Sequence, residues 1–190
     1  MQEKPVTPLT EKEYLARERA SEVKHDFYQG EIFAMAGASE RHNLIVSNVI
    51  GELRAQLKKT PCRVYPGDMR LKIRKTGLNT YPDVMVICGK REFADDQQDT
   101  VLNPDVIIEV LSDSTESYDR GLKFENYRKL SSLKEYIMIS QNKQKIEKYL
   151  KDENSNWVLA ESDEENPTVM LDSIDCQLSH PEVYDKVEDI

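Results

Sequence analysis

The chain has 190 residues, of which 38% are hydrophobic and 32% are charged, and its formal net charge is −9. This length and composition fit one globular domain and exclude a disordered or low-complexity protein. The apolar runs are far shorter than the roughly 20 residues that a membrane helix needs, and the first residues do not resemble a secretion signal, so we expect a cytoplasmic protein without a membrane partner.

Acidic residues are concentrated at one end of the chain. Residues 151–190 hold 12 acidic and 2 basic side chains, whereas residues 1–150 are close to neutral. A local basic surface that binds phosphates is therefore compatible with the sequence, although a broad basic stripe is excluded. We expect a single domain over residues 1–190, with an N-terminal arm at 1–10 and an acidic C-terminal extension at 161–190.

The three cysteines, Cys62, Cys88 and Cys176, are odd in number and widely spaced. No two of them form a Cys-x-x-Cys pair. The pattern argues against a zinc site or a disulfide framework, and it fits a reducing compartment.

The first predicted elements are a helix, a hairpin and a longer helix. Thr10 is expected to cap a helix that runs to about Ala20, and residues 25–36 read as a hairpin around Gly30, which tolerates a positive φ. Ser39 is expected to cap the clearest helix of the chain, in which apolar residues recur at intervals of three and four until Pro61.

Strands dominate the rest of the prediction. They are expected at residues 63–65, 69–74, 83–88, 106–111, 135–140, 145–150 and 157–160. Asp119 is expected to cap a helix to about Leu130, residues 76–79 to form a turn, and residues 181–187 to form a short helix. This order predicts an α+β fold, with strands clustered in the middle and a helix on each side.

Two acidic residues lie in strands that are otherwise apolar. Asp83 begins the strand at 83–88, and Glu109 lies inside the strand at 106–111. An unpaired carboxylate in such a strand costs several kcal/mol, so each is expected to face a metal, a cation or a cleft. Taken singly, Asp83 is equally compatible with a turn and Glu109 with a structural ion pair.

Lys123 shares a predicted helix face with Tyr127 and Leu130, so its side chain is expected to project inward. An inward ammonium group needs a partner, and two carboxylates on adjacent strands would provide one. The alternative is a lysine whose stem is buried and whose head group is solvated.

Two carboxylates and a lysine suit metal-dependent phosphodiester hydrolysis. Hard oxygen ligands select Mg²⁺ or Mn²⁺, which polarise a phosphoryl oxygen and lower the pKa of a bound water. A nearby ammonium group can orient the attacking water and stabilise developing negative charge.

Other residues have two interpretations each. Arg70, Lys72 and Arg74 lie on one face of their predicted strand and could contact the phosphates of a nucleic acid or could form a solvated face. His42, in the first turn of the long helix, is either a core histidine bonded to the backbone or a cleft residue that contacts a phosphate or a metal-bound water.

Several ordered motifs resemble the Uma-two (Uma2, DUF820-type) family of restriction-endonuclease-like proteins, within the PD-(D/E)xK nuclease superfamily. The resemblance extends over about residues 8–160. Its strongest motifs are Tyr81-Pro82-Asp83-Val84, Ile108-Glu109-Val110-Leu111-Ser112-Asp113-Ser114-Thr115, Tyr118-Asp119-Arg120-x-x-Lys123-x-x-x-Tyr127 and Glu135-Tyr136.

The resemblance implies a core of helix, three-stranded meander, helix and returning strand, with a mixed central sheet flanked by helices. It implies that Asp83 and Glu109 bind the metal, with the backbone carbonyl of Val110 completing the ligand set. The superfamily usually places its lysine two residues after the glutamate, where this chain has Leu111, so the resemblance assigns that role to Lys123.

The resemblance also includes Asp26 and His42 as supporting residues. Asp26 stands where the family usually has glutamate, which is one methylene longer. Asp26 either supports the metal site or forms a cap or salt bridge near the hairpin.

We therefore expect a Mg²⁺-dependent DNA endonuclease. The alternatives are an enzyme that acts on RNA, and a catalytically inactive nucleic-acid-binding or protein-interaction module that keeps the nuclease fold. Uncovered strand edges, and the dimers that many nucleases of this fold form, predict a homodimer.

Overall fold

Two mixed β-sheets, a two-stranded hairpin and five short or medium helices make up the computed structural model, which describes residues 8–35, 37–188 and 190. The helices are α1 (Glu11–Glu18), α2 (Glu40–Gln56), α3 (Glu116–Tyr118), α4 (Phe124–Tyr127) and α5 (His180–Val183), with a 3₁₀ turn at Leu57–Lys59 and a π-helical segment at Asp119–Lys123. The strands are β1 (His25–Tyr28), β2 (Glu31–Ala34), β3 (Cys62–Pro66), β4 (Arg70–Ile73), β5 (Leu78–Thr80), β6 (Val84–Cys88), β7 (Thr100–Val101), β8 (Val106–Leu111), β9 (Glu135–Ser140), β10 (Ile146–Lys151), β11 (Trp157–Glu161), β12 (Thr168–Leu171) and β13 (Cys176–Ser179).

The central sheet has six strands in the order β11-β10-β9-β8-β6-β3. Strands β8 and β9 are parallel, and the other neighbours are antiparallel. The second sheet has the order β2-β1-β5-β4-β7. The expected α+β fold with a mixed central sheet flanked by helices is confirmed.

Both faces of the central sheet are covered, which explains why β6 and β8 are almost entirely apolar. Alternate residues of β8 enter two different clusters of buried side chains. Ile108 and Val110 pack on the side of α2, whereas Ile107 and Leu111 pack on the side of α4. By this alternation Glu109 faces the α4 side.

The first predicted helices and the hairpin are confirmed. Thr10 and Glu13 form a reciprocal capping box at the start of α1, and the Ser39 side chain caps α2. Gly30 has a φ of +87° in the β1–β2 turn, and a Cβ atom there would lie 2.5 Å from a side-chain carbon of Pro8. Only glycine therefore fits this turn. Residues 1–7 of the expected arm lie outside the described residues.

Several short strands were not predicted. Residues 76–79 were expected to be a turn only, but Leu78 already begins β5, which pairs with β4 and β1. The strands β7, β12 and β13 were also missed. Strands of two to four residues leave no clear period in a sequence.

The cysteine prediction was wrong. Cys62 and Cys88 form a disulfide because they are directly opposite each other in the antiparallel pair of β3 and β6. Their separation of 26 residues hides this proximity in the sequence. Cys176 is a free, buried thiol. The cysteine pattern therefore no longer supports a reducing compartment. Among the described residues, no helix is long and apolar enough to cross a bilayer.

The acidic C-terminal extension is folded onto the domain. Leu178 and Val183 are fully buried in the same cluster as the apolar face of α2. The hydroxyl of Tyr184 reaches the β9–β10 turn, where it can donate to the carbonyl oxygen of Ser140 at 2.9 Å. These contacts anchor the described part of the extension to the hydrophobic core, although many of its acidic side chains stay exposed.

His180 gives the extension a pH-dependent contact. The ring is buried, its Nε2 lies 2.7 Å from Ser162 Oγ, and burial lowers the pKa of His180 from its ordinary value, although Asp163 raises it. The imidazole of His180 therefore binds a proton more readily in the unfolded chain than in the folded protein. The contribution of His180 to stability is fully present above about pH 6.5 and is lost as the pH falls below that value. We expect the melting temperature of the wild type, but not that of His180→Gln, to include this loss between pH 7 and pH 5. Circular dichroism melts of both proteins check it, and equal slopes would contradict it.

Candidate active site

Strands β6 and β8 diverge at the point where the acidic residues lie. Their last paired residues are Val84 and Ile108. Beyond this pair, backbone-to-backbone hydrogen bonds are replaced by hydrogen bonds to carboxylates. The backbone N–H of Val110 donates to Asp83 Oδ2 at 2.8 Å, and the backbone N–H of Asp83 donates to Glu109 Oε2 at 3.3 Å. The two predicted acids are therefore brought together at the opening between the strands.

Glu109 is buried and fully bonded. Its Oε1 accepts a hydrogen bond from Lys123 Nζ at 3.1 Å and another from the Tyr127 hydroxyl at 2.7 Å. Burial raises the pKa of the Glu109 carboxyl, although the charge of Lys123 lowers it. A buried carboxylate with these contacts is held in one orientation, as a ligand or catalytic group must be.

Lys123 projects inward, as predicted from its helix face. Its ammonium group lies 3.1 Å from Glu109 Oε1 and 2.9 Å from Asp119 Oδ1, and it stands over the ring of Tyr118. Burial lowers the pKa of Lys123, but Glu109 and Asp119 outweigh this and raise it well above its ordinary value. Lys123 is therefore a fixed positive charge rather than a proton acceptor.

The helical segment that carries Lys123 differs from the prediction. Asp119 was expected to cap a helix, but the helical turns begin at Glu116 and widen into a π-helix over Asp119–Lys123. Both ends of this wide turn are buried, and Lys123 at one end contacts both Glu109 and Asp119, which lies at the other end. Wide turns of this kind occur frequently at functional sites.

His42 lies in the cleft rather than in the core. Its Nε2 is 3.2 Å from Asp83 Oδ2, and its backbone N–H donates to the capping Ser39 Oγ at 3.1 Å. The cap fixes the first turn of α2 and so directs the imidazole toward Asp83. The interpretation of His42 as a core residue bonded to backbone is therefore wrong.

Asp26 lies on β1 and forms another wall of the site. Its Oδ2 accepts a hydrogen bond from the Tyr118 hydroxyl at 3.2 Å, and its buried Oδ1 has no partner that satisfies hydrogen-bond geometry. Burial raises the pKa of Asp26, although the charge of Lys123 lowers it. Of the two interpretations of Asp26, the structure supports the one that places it beside the site.

The predicted basic track on β4 is not formed. Arg70 is buried, where its side chain donates to Thr100 and Tyr81, and Lys72 pairs with Glu11 at 2.7 Å. Helix α1 covers this face of the strand, so two of the three side chains are used within the protein. Arg74 remains exposed.

These groups surround one cavity of about 790 Å³. Asp83, Glu109, Val110, Lys123, Asp26 and His42 all line it, so the cavity contains every catalytic, metal-binding and supporting residue predicted from the sequence. Sequence reasoning missed Asp119 and Tyr127 as site residues. The i, i+4 spacing of Asp119 with Lys123, and of Lys123 with Tyr127, was the available signal.

The donor set fits a hard divalent cation. The cavity is lined by one lysine and by five acidic side chains, those of Asp26, Asp83, Glu109, Asp113 and Asp119, and one buried oxygen of Asp26 is unpartnered. In the described part of the chain, no three His, Cys, Asp or Glu side chains are arranged to hold a metal by themselves. The residues that could hold a metal with help from backbone or water oxygens are Asp83 and Glu109, and Val110 lines the same cavity.

A family model matches most of the chain. Residues 11–181 match the sequence model of Uma2, which is described as "Putative restriction endonuclease". The chain belongs to the Uma2 family.

Relatives of this Uma2 chain occur in Synechocystis sp. (strain ATCC 27184 / PCC 6803 / Kazusa). "Uncharacterized protein sll1609" is 39% identical over 161 residues, which cover 85% of this chain and 91% of the relative. "Uncharacterized protein slr1290" is 34% identical over 155 residues, which cover 82% and 80% of the two chains.

The fold of this Uma2 chain is shared with a crystal structure described as "a putative nuclease belonging to DUF820" from Anabaena variabilis ATCC 29413. The two superpose with a TM-score of 0.75 at 19% identity, over 93% of this chain and 98% of the other. At this identity the likeness concerns the fold.

The Tyr127 hydroxyl gives a test of how Glu109 is held. We expect Tyr127→Phe to lower the free energy of unfolding by about 1.5–3 kcal/mol, because it removes a hydrogen bond to a buried acidic group and leaves Glu109 less satisfied. Urea unfolding measures this change. Tyr149→Phe, at a half-buried tyrosine that does not line the cavity, is the control, and an equal change in both variants would contradict the prediction.

Proposed function

We propose that this protein is a metal-dependent nuclease that hydrolyses phosphodiester bonds of DNA, with Mg²⁺ or Mn²⁺ as its cofactor. Membership of the Uma2 family and the shared fold support a nuclease. The observation that carries the proposal is the convergence of Asp83, Glu109 and Lys123 in one cavity.

In this proposal Asp83 and Glu109 hold the metal together with the carbonyl oxygen of Val110. When bound there, the metal supplies Lewis-acid polarisation of the phosphoryl oxygen and a water of lowered pKa. The other roles, which are to position the water, to stabilise charge and to orient the two acidic ligands, belong to groups of the protein itself.

Lys123 positions the attacking water and stabilises the negative charge that develops on the phosphoryl oxygens. Asp119 would keep the ammonium group in the cavity if Glu109 were engaged by a metal, because Lys123 has both carboxylates within 3.1 Å. His42 and the N–H of Val110 orient Asp83 by donating to the same carboxylate oxygen, while Tyr127 fixes Glu109.

The direct experiment is to incubate the purified protein with plasmid, linear and single-stranded DNA in Mg²⁺, in Mn²⁺ and in chelator. We expect metal-dependent cleavage that Asp83→Asn removes and that Asp68→Asn, at a largely exposed carboxylate, leaves unchanged. If no form of DNA is cut with either metal, the proposal is wrong.

The rival function is a binding or interaction module that keeps the fold without catalysis. It is favoured by the closed bonding of Glu109, both of whose oxygens already accept hydrogen bonds from protein groups. Calorimetric titration with Mg²⁺ separates the two, because the rival predicts no heat of binding that depends on Glu109. Incubation with RNA in the same assay tests the remaining alternative substrate.

A homodimer also stays a prediction. Strand β11 is one edge of the central sheet, and its residues Val158 and Leu159 are exposed. Light scattering at micromolar concentration tests it, and the mass of a single chain would count against a dimer.

A further inference from the structure

Part of the lining of the site is apolar and aromatic. Phe33, on the edge strand β2, is 48% exposed although it is a large hydrophobic side chain, and it lines the cavity. Tyr28, Met35 and Leu122 line the same cavity. Single exposed hydrophobic residues are common on protein surfaces, but Phe33 belongs to a group of apolar side chains that line one cavity, and such a lining is typical of a ligand site.

Strand register fixes the direction of Phe33. It is directly opposite Asp26 in the β1–β2 hairpin, so the two side chains lie on the same face of the sheet. Asp26 lines the wall of the site, and Phe33 is therefore held at the entrance above it. The neighbouring Ile32 is opposite the buried Phe27 and lies on the other face.

The charge of the cavity excludes a substrate with many phosphates in contact. Among the described residues, Lys123 is the one lysine or arginine in the lining, and its ammonium group already pairs with Glu109 and Asp119. Duplex DNA carries one negative charge per about 1.7 Å of axis, and proteins that bind it neutralise several phosphates at once. This cavity has no set of side chains that could do so.

The size of the cavity also favours a small substrate group over a duplex. At about 790 Å³ it is in the range of small-molecule sites of about 300–1,000 Å³. It suits a nucleotide that has left its base stack, as in enzymes that receive an extruded base in an aromatic pocket. Aromatic side chains bind such bases without regard to sequence, because every base has a flat face.

We propose that the cavity receives an unpaired nucleotide of a single strand, with its base stacked on Phe33 and its phosphate directed toward Asp83 and Glu109. This inference rests on the proposed function and names its substrate class. It assigns to Phe33 the role of selecting unpaired over duplex nucleic acid.

The test measures binding and stacking separately from cleavage. Oligonucleotides of one sequence that carry 2-aminopurine are titrated with protein as single-stranded DNA, duplex DNA and single-stranded RNA, in Ca²⁺ and in chelator. Stacking quenches the fluorescence of 2-aminopurine, and anisotropy gives the affinity. The variants are Phe33→Ala and, as the matched control on the same strand, Ile32→Ala.

We expect quenching with single strands, at least tenfold tighter binding of single-stranded DNA than of duplex, and a loss of about tenfold on Phe33→Ala, in line with the energy of one base–aromatic stack. Ile32→Ala should stay within about twofold. Affinity should depend weakly on salt, since few phosphates are neutralised. Tighter binding of the RNA strand would keep the inference and identify RNA as the source of the nucleotide.

Duplex binding as tight as single-strand binding, or equal affinities of Phe33→Ala and wild type, would overturn the inference. Because Phe33 is half exposed, its variant is expected to fold, and circular dichroism confirms this. Stacking without cleavage of any substrate would contradict the proposed hydrolysis but not this inference. Cleavage of duplex DNA that is unaffected by Phe33→Ala would contradict this inference but not the proposed hydrolysis.

Discussion

Glu109→Gln should lose metal-dependent cleavage by a factor on the order of 10³ or more, because a metal that supplies several kcal/mol of transition-state stabilisation would no longer be held. The variant keeps the size and much of the bonding of the native side chain. It loses the negative charge, and its amide N–H₂ would stand against the backbone N–H of Asp83, which donates to this position in the native protein.

Calorimetry decides the reason for this loss. We expect the heat of Mg²⁺ binding to disappear in Glu109→Gln and to persist in Glu116→Gln, which changes a half-buried glutamate at the start of α3 that pairs with Arg120 and does not line the cavity. A variant that has lost cleavage but binds Mg²⁺ with native affinity would show that Glu109 is not a metal ligand.

Lys123→Met should abolish cleavage while it preserves, or strengthens, metal binding. Methionine fills the same buried space without the charge. The substitution leaves Glu109 and Asp119 without their cation, so a divalent metal becomes the main compensation for their charge. This combination of effects separates Lys123 from a residue that binds the metal.

The same substitution has a large effect on stability. Breaking a buried ion pair by removing one partner costs about 3–5 kcal/mol, so the metal-free variant should melt well below the wild type. A ligand that binds only the folded state raises stability by mass action. We therefore expect Mg²⁺ to raise the melting temperature of Lys123→Met more than that of the wild type, and an equal rise in both would contradict the account.

The convergence of Asp83, Glu109 and Lys123 could be predicted because each is a charged residue at a position where the surrounding pattern predicts a buried apolar one. Two acids interrupt apolar strands, and a lysine shares a helix face with packing residues. Burying a charged group without a partner is costly, so these positions predict that the three groups contact one another. The contacts of Glu109 with Lys123 agree with this reasoning.

Apart from the i, i+4 spacing of Asp119, Lys123 and Tyr127, the features that sequence analysis missed depend on geometry that residue patterns do not show. The residue types of the π-helical turn at Asp119–Lys123 do not distinguish it from an α-helix, so Asp119 was interpreted as a helix cap. Arg70 was interpreted as surface because its strand alternates, but α1 covers that face, and Arg70 contacts Tyr81 instead of solvent. The disulfide of Cys62 and Cys88 depends on strand register, which spacing along the chain does not reveal.

One measurement tests the central claim most directly: a crystal soaked in Mn²⁺, with anomalous diffraction recorded. We expect a peak between Asp83 and Glu109, within about 2.5 Å of an oxygen of each, with the Lys123 ammonium group turned toward Asp119. A native-like crystal that shows no peak there, with Lys123 still bound to Glu109, would contradict the account and leave only the fold and the family.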